Sequence, residues 1–320
     1  MKARDKTLVL VGFTMALVFL AISAQAAVAA DLLPDLQMAA ITDIKLDQTT
    51  FSDRKLLRFT AVIANEGAGP LELHGSRPDT NTSEMSVTQR IYDDSGGFRD
   101  VPTNATMYYA GDGHHHWHTK NLETAELDQM DSFAQVAKYA KQGFCFADGG
   151  KFRPSLPGAP TSPVYTTCGT DPNQLTTTMG LSVGQGDWYT WDVAFQWIDI
   201  TGVPSGRYRL FLTADAAGWF QDADQTNNGT WADVLLGPKG VSVLDYGPSA
   251  IPDPGYYFPG RAVPPPDSTA SGNQPQSAAS GNPARPISAT RHHRKHKAKK
   301  HRRHHRKHKA RRHHHRKHRR

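Results

Sequence analysis

The sequence predicts a mostly β protein: a single β-sandwich-like domain with long loops, followed by an unstructured linker and tail. Three observations carry this expectation. Between residues 31 and 248, short runs rich in β-branched and aromatic residues recur, each bounded by Gly, Pro, Asn or Asp. The stretch LRFTAVIANEG, from Leu57, alternates apolar with other residues over part of its length, as a sheet with one buried face does. A segment of this size is enough to bury one core.

Taken in chain order, residues 1–30 read as a secretory signal. Lys2, Arg4 and Lys6 precede an apolar run from Leu8 to Ile22, and A-x-A sites follow at Ala24 to Ala26 and Ala27 to Ala29. The run is too short for a membrane span, which needs roughly 20 apolar residues; an uncleaved anchor is the alternative. No later segment is apolar enough to cross a bilayer, so the mature chain is expected to be secreted and soluble. KLLRFTAVIANEGAGPLEL (from Lys55), YTWDVAFQWIDI (from Tyr189), GRYRLFLTAD (from Gly206) and TWADVLLG (from Thr230) read as strands. One helix is expected, over MDSFAQVAKYAKQGF from Met130, with Asp131 or Ser132 as its cap and Phe133, Val136 and Tyr139 on its apolar side. Cys145 and Cys168 are the only cysteines. In an exported chain such a pair reads as a disulfide, with two buried thiols as the alternative.

Residues 249–290 are rich in Pro, Gly, Ser and Ala and cannot bury enough apolar surface to order themselves. Residues 291–320 repeat HHRKHKA at 292–298 and 304–310, and HHRKH at 314–318. This tail holds 17 of the 37 Lys+Arg and 11 of the 16 His, so the remainder carries 20 basic against 30 acidic residues. The basic balance therefore belongs to the tail, which is expected to bind polyanions such as envelope polymers, acidic lipids or released nucleic acid. Buffering of copper by its histidines is a second expectation. Retention at the cell envelope follows from the first.

Outside the tail only five histidines remain, and four lie in GDGHHHWHTK from Gly111. In an extended chain alternate side chains share a face, so His114, His116 and His118 are expected on one side, with His115 and Trp117 on the other. Three neutral imidazoles suit Cu(II), Zn or Ni, and the ligand set alone does not choose among them.

Further motifs follow in order: a lysine shortly before F-C (Lys141, Phe144, Cys145), a tyrosine eight residues before the tryptophan of Q-W-I-D-I-T (Tyr189, Trp197), and T-N-N (Thr226 to Asn228). Together with the histidines, and with PDL at Pro34 and LLRF at Leu56, they make the chain resemble the catalytic domain of the lysyl oxidase family from about Pro34 to Val243. The resemblance implies a secreted, copper-dependent amine oxidase. His114, His116 and His118 fall on the family's copper ligands, and Lys141 and Tyr189 fall on the pair that becomes lysine tyrosylquinone. The implied reaction oxidises primary amines, either peptidyl lysine or small amines, to aldehydes with dioxygen, releasing ammonia and hydrogen peroxide. For Lys141 to act as a nucleophile it must lose its proton, which calls for desolvation or nearby positive charge. A general base is also needed; Asp112, Asp148, Asp192 and Asp199 neighbour the motifs, and the sequence does not choose among them.

Asp222, Asp224, Asn227 and Asn228 offer hard oxygen donors of the kind Ca²⁺ takes, or shape a turn. The resemblance implies that they can hold calcium together with Asp35 and the Leu36 carbonyl, although Asp222 stands where the family usually has Glu. Animal members carry several disulfides and a further cysteine where this chain has Phe195. His115 is an extra histidine that could compete for metal.

Two other classes compete with the oxidase. One is a catalytically silent copper- or calcium-binding β-domain held at the envelope by its tail, which would have no reason to retain both Lys141 and Tyr189. The other is an adhesin, for which removing the tail would abolish all activity.

Overall fold

A computed structural model describes residues 29–258, apart from 112 and 255. The predicted signal over 1–30 lies almost wholly outside the described residues, as do Asp112, most of the predicted linker and the whole tail.

The described chain forms strands β1 (Asp31–Leu32), β2 (Leu36–Met38), β3 (Thr42–Asp47), β4 (Leu56–Asn65), β5 (Leu71–Ser76), β6 (Glu84–Asp93), β7 (Phe98–Ala110), β8 (His116–Lys120) and β9 (Glu123–Gln129). It continues with β10 (Gln135–Lys138), β11 (Gly143–Phe144), β12 (Gly150–Lys151), β13 (Thr176–Leu181), β14 (Gln185–Tyr189), β15 (Trp197–Asp199), β16 (Gly206–Ala214), β17 (Gly229–Leu236) and β18 (Val241–Tyr246). These build three antiparallel sheets, with no helix among the described residues. The first has the order β11-β8-β7-β6-β5-β13, with β1 also on β6; the second is β10-β9-β16-β17-β18. The third centres on β4, which pairs with β14 and β15 and also with β2 and β3.

All ten residues of β4 are buried. That is why the segment reads as a long apolar run with only local alternation: neighbours cover both of its faces. One cluster of buried side chains draws on all three sheets, including Phe59 and Ile63 of β4, Trp117 of β8, Leu127 of β9 and Leu210 of β16. Burying a side chain of this size contributes about 1.5–3 kcal/mol. At the start of the Pro/Gly/Ser-rich stretch the described residues pack against the sheets: Ala250 is buried and Phe258 stacks on Trp188 at 4.4 Å between centroids.

The helix expected from Met130 is not formed. A turn leads into β10, which pairs with β9, and the chain then continues to β11. Phe133 sits at φ 52° and is 55% exposed, and Val136 is also exposed. Only Tyr139 of the supposed apolar side is buried, so a helix here would have lacked a core-facing stripe. Pairing with β9 satisfies the backbone instead.

Candidate metal and tyrosine site

Within β8 the alternation expected from the sequence appears. Trp117 is wholly buried, and its indole N–H donates to the Asp171 carbonyl at 3.0 Å. His116 and His118 point to the opposite face, 2.9 Å apart between their Nε2 atoms. His114 lies before the strand and reaches the same place by another route. The backbone turns at His115, whose φ is 54° and whose N–H donates to the Ala110 carbonyl at 3.0 Å. The turn sets His114 Nδ1 3.3 Å from His118 Nε2. The extended H-x-H-x-H geometry thus holds for two residues of the three, and exposed His115 stays outside the cluster.

The donor set fits a metal. One nitrogen from each of the three imidazoles lies within 4.8 Å of the others, and nitrogens sharing an ion at about 2.0 Å stand roughly 2.8–3.4 Å apart. His118 is buried, and that burial, with the Lys141 ammonium and the other two imidazoles, pushes its pKa down to about 2. It is held neutral, the form that ligates metal.

β11 brings the lysine segment alongside: Gly143 pairs with Lys120 and Phe144 with Thr119. Gly143 is required, because a Cβ there would lie 2.5 Å from the Tyr108 hydroxyl. Lys141 is buried, with Nζ 4.9 Å from the centre of the Tyr189 ring and 5.2 Å from that of Phe144. Phe144 meets Tyr189 edge-on, at 4.8 Å between centroids. The Tyr189 hydroxyl lies 2.6 Å from the Cys145 carbonyl and 2.7 Å from Asp187 Oδ2. It has one hydrogen for two acceptors. Burial raises Asp187 to about 7, so a protonated Asp187 donating to the hydroxyl oxygen lets Tyr189 donate to Cys145. Burial holds the phenol well above its ordinary pKa, and Asp187 raises it further whenever it is ionised.

Cys145 and Cys168 form a disulfide. Closing the loop between them stabilises the fold by about 3 kcal/mol in the chain-entropy model. The bond also couples the two halves of the site. The residues after Cys168 brace the histidine strand, with Trp117 N–H on the Gly169 carbonyl at 3.2 Å and the Tyr109 hydroxyl on the Thr170 carbonyl at 3.1 Å. A groove of about 480 Å³ lined by Glu84, Tyr108, Lys120 and Gln142 runs beside that strand, and Tyr108 packs edge-on against His118.

Of the carboxylates singled out in the sequence, the three among the described residues are engaged elsewhere. Asp148 accepts from the Val164 and Ser182 backbone and from the Ser182 hydroxyl, which makes it a loop anchor. Asp192 accepts from Thr190, and Asp199 caps a turn at Thr201 beside Arg54. Asp187, which sequence reasoning passed over, is the carboxyl at the tyrosine. Its signal was its place two residues before Tyr189, on the same face of one strand. Glu123 was also missed; it shares the inward face of β9 with Ala125 and Leu127.

A second cluster forms where β2 meets the 222–228 loop. Leu36 N–H donates to Asp222 Oδ2 at 3.0 Å, and Asn227 Nδ2 donates to Asp35 Oδ1 at 3.0 Å. Asn228 Nδ2 donates to the Ala214 carbonyl at 3.3 Å. In that orientation Asn228 Oδ1 faces three oxygens: the Leu36 carbonyl at 2.9 Å, the Asp224 carbonyl at 3.0 Å and Asn227 Oδ1 at 3.1 Å. Turning the amide over would bring its NH₂, with two hydrogens, within donating distance of the three. Burial raises Asp222 to about 6. The Asp224 carboxylate is turned away to Thr226, so only its carbonyl faces the cluster.

The lysyl oxidase family model matches residues 86–245, half of the chain. No curated protein gives a match. The matched span contains the three histidines, Lys141, both cysteines, Tyr189 and the 222–228 loop. Among the described residues no helix is long and apolar enough to cross a membrane, and the disulfide is compatible with secretion. The chain belongs to the lysyl oxidase family, whose members are copper-dependent amine oxidases.

Proposed function

We propose that the protein is an exported amine oxidase that turns primary amines, peptidyl lysine or small alkylamines, into aldehydes. The observation that carries this reading is the burial of Lys141 Nζ 4.9 Å from the centre of the Tyr189 ring, beside three convergent imidazoles. His114 Nδ1, His116 Nε2 and His118 Nε2 would hold copper. Copper, with a lysine tyrosylquinone made from Lys141 and Tyr189, supplies the two-electron oxidation of the amine, with dioxygen as acceptor and ammonia and hydrogen peroxide as products.

The protein's own groups then have separable tasks. Phe144 fixes the plane of the Tyr189 ring, and the Cys145 carbonyl fixes its hydroxyl edge. Low exposure of Lys141 and Tyr189 keeps water scarce and favours a slim primary amine over a branched one. Asp187, 2.7 Å from the hydroxyl, is placed to take and return a proton at that edge, and a value near 7 suits a base working at neutral pH.

The test is peroxide release from an alkylamine and from a lysine peptide by the full chain loaded with copper in air. Asp187→Asn is expected to lower the rate by about 10²–10⁴-fold. The wild-type rate is expected to fall as pH drops through about 7, where Asp187 takes up its proton, and the variant is expected to lose that limb. No peroxide from either amine would sink the reading; an unchanged rate and profile in Asp187→Asn would remove Asp187 from it.

We also propose that Asp35, Asp222, Asn227, Asn228 and the Leu36 and Asp224 carbonyls hold Ca²⁺. With the Asn228 oxygen inward, four oxygens converge and a cation among them relieves their repulsion while Asn228 keeps its bond to Ala214; without a cation the amide turns over and its NH₂ faces the same oxygens. Calcium at about 100 times its Kd is expected to raise Tm by roughly 5–10 °C. The shift should shrink as pH falls below about 6, where Asp222 protonates. Equal melting with calcium and with chelator would contradict the site.

A further inference from the structure

One buried carboxyl lies in this region beside the residues already assigned. Glu123 opens β9 on its inward face and is 1% exposed. Neither carboxylate oxygen makes a well-formed hydrogen bond among the described residues, and the Tyr139 hydroxyl is near enough to share a hydrogen with it. A buried carboxyl so poorly partnered destabilises a fold, so its presence asks for a function. The segment after β10 runs back alongside the start of β9, with Tyr139 N–H on the Ala125 carbonyl at 3.0 Å and Asn121 N–H on the Gln142 carbonyl at 2.9 Å, which brings Lys141 level with Glu123. The charge of Lys141, the Tyr139 hydroxyl and Asp187 from β14 all act on Glu123, and Tyr189 feels its charge in turn. Tyr139 donates its single hydroxyl hydrogen to Gln196 Oε1 at 2.5 Å. With that hydrogen on Gln196, a protonated Glu123 can donate to the Tyr139 oxygen, whereas the ionised carboxylate receives no hydrogen from it. Burial, against the Lys141 charge, raises Glu123 to about 8, so roughly a tenth of it is the proton-accepting carboxylate at pH 7 and that share grows as pH rises.

We propose that Glu123 accepts the proton that the Lys141 nitrogen sheds when it becomes the nucleophile toward the Tyr189 ring. The inference rests on the reading of Lys141 and Tyr189 given above. An ammonium nitrogen has no lone pair, so bonding to a ring carbon requires the free amine. In the transfer a Lys141 N–H bond breaks with its electron pair left on nitrogen, and a Glu123 O–H bond forms. Neither residue is oxidised; oxidation of the ring is a separate event that draws on dioxygen. Two opposite charges become two neutral groups, the state that a dry interior favours. Asp187 is less suited to this task, since it is already engaged by the Tyr189 hydroxyl and by the backbone of Ala147 and Trp188.

The test follows the Lys141–Tyr189 cross-linked peptide by mass spectrometry in the full chain, prepared metal-free and then given copper under air. Glu123→Gln keeps the shape and removes the acceptor. It is expected to slow cross-linking about 100-fold near pH 7 and to recover most of the rate near pH 9.5, where solvent base takes the proton. Copper content and Tm are read on the same samples. Because the Gln amide can keep a contact with the Tyr139 hydroxyl, Glu123→Gln is expected to bind copper fully and to melt close to wild type. Glu123→Asp, which withdraws the carboxyl by one methylene, gives the same comparison should Gln prevent folding. Slowing that recovers at high pH in either variant supports the role; a folded variant that cross-links at the wild-type rate near pH 7 overturns it. A wild type that never cross-links overturns the underlying reading, and this inference with it.

Discussion

Tyr189→Phe is expected to reduce amine oxidation to background while leaving copper uptake intact. The side chain keeps its ring, its edge-on contact with Phe144 and its place beside Ala61 in the third sheet, and loses only the hydroxyl. Without a phenol there is no quinone, and an enzyme stripped of its reactive group forfeits an enhancement of about 10⁶-fold or more. The structural cost is small by comparison. The Cys145 carbonyl loses its donor and Asp187 its neighbour, a destabilisation of about 1–3 kcal/mol. Peroxide release, metal analysis after gel filtration and a thermal melt separate the three quantities. Retained oxidation in the variant would place the chemistry elsewhere.

His118→Ala is expected to produce the largest loss in metal binding. His118 Nε2 is the nitrogen the other two share, 2.9 Å from His116 and 3.3 Å from His114. Losing a residue that only orients a ligand typically costs 10–100-fold in affinity, so losing this ligand is expected to cost at least about 1,000-fold. His115→Ala is the matched control. It removes an exposed imidazole at the turn and is expected to leave copper affinity near wild type. Competition titration with a copper chelator reads both, and equal affinities for His118→Ala and wild type would contradict the assignment of the cluster.

Much of the fold was legible locally because strand chemistry is local. β4, β16 and β17 lie where β-branched and aromatic runs end at turn residues. The segment from Met130 misled because a helical spacing of Phe133, Val136 and Tyr139 can arise without a core to receive it, and two of the three ended exposed. At the site, alternation correctly paired His116 with His118. The arrival of His114 depended on a left-handed residue at His115, which no spacing rule foresees. Asp187 was readable from its position two residues before Tyr189. The approach of Lys141 to Tyr189 was not, since it depends on β11 pairing with β8 and on β14 pairing with β4. Only the resemblance to a family joined those two residues in advance.

The most direct measurement is a peptide map of the full chain after copper loading in air. A single linked species containing Lys141 and Tyr189, with quinone absorbance and reactivity toward phenylhydrazine, is the predicted result. Recovery of both peptides unmodified from protein shown to hold copper would contradict it, and would leave a metal-binding β-domain that does no redox chemistry.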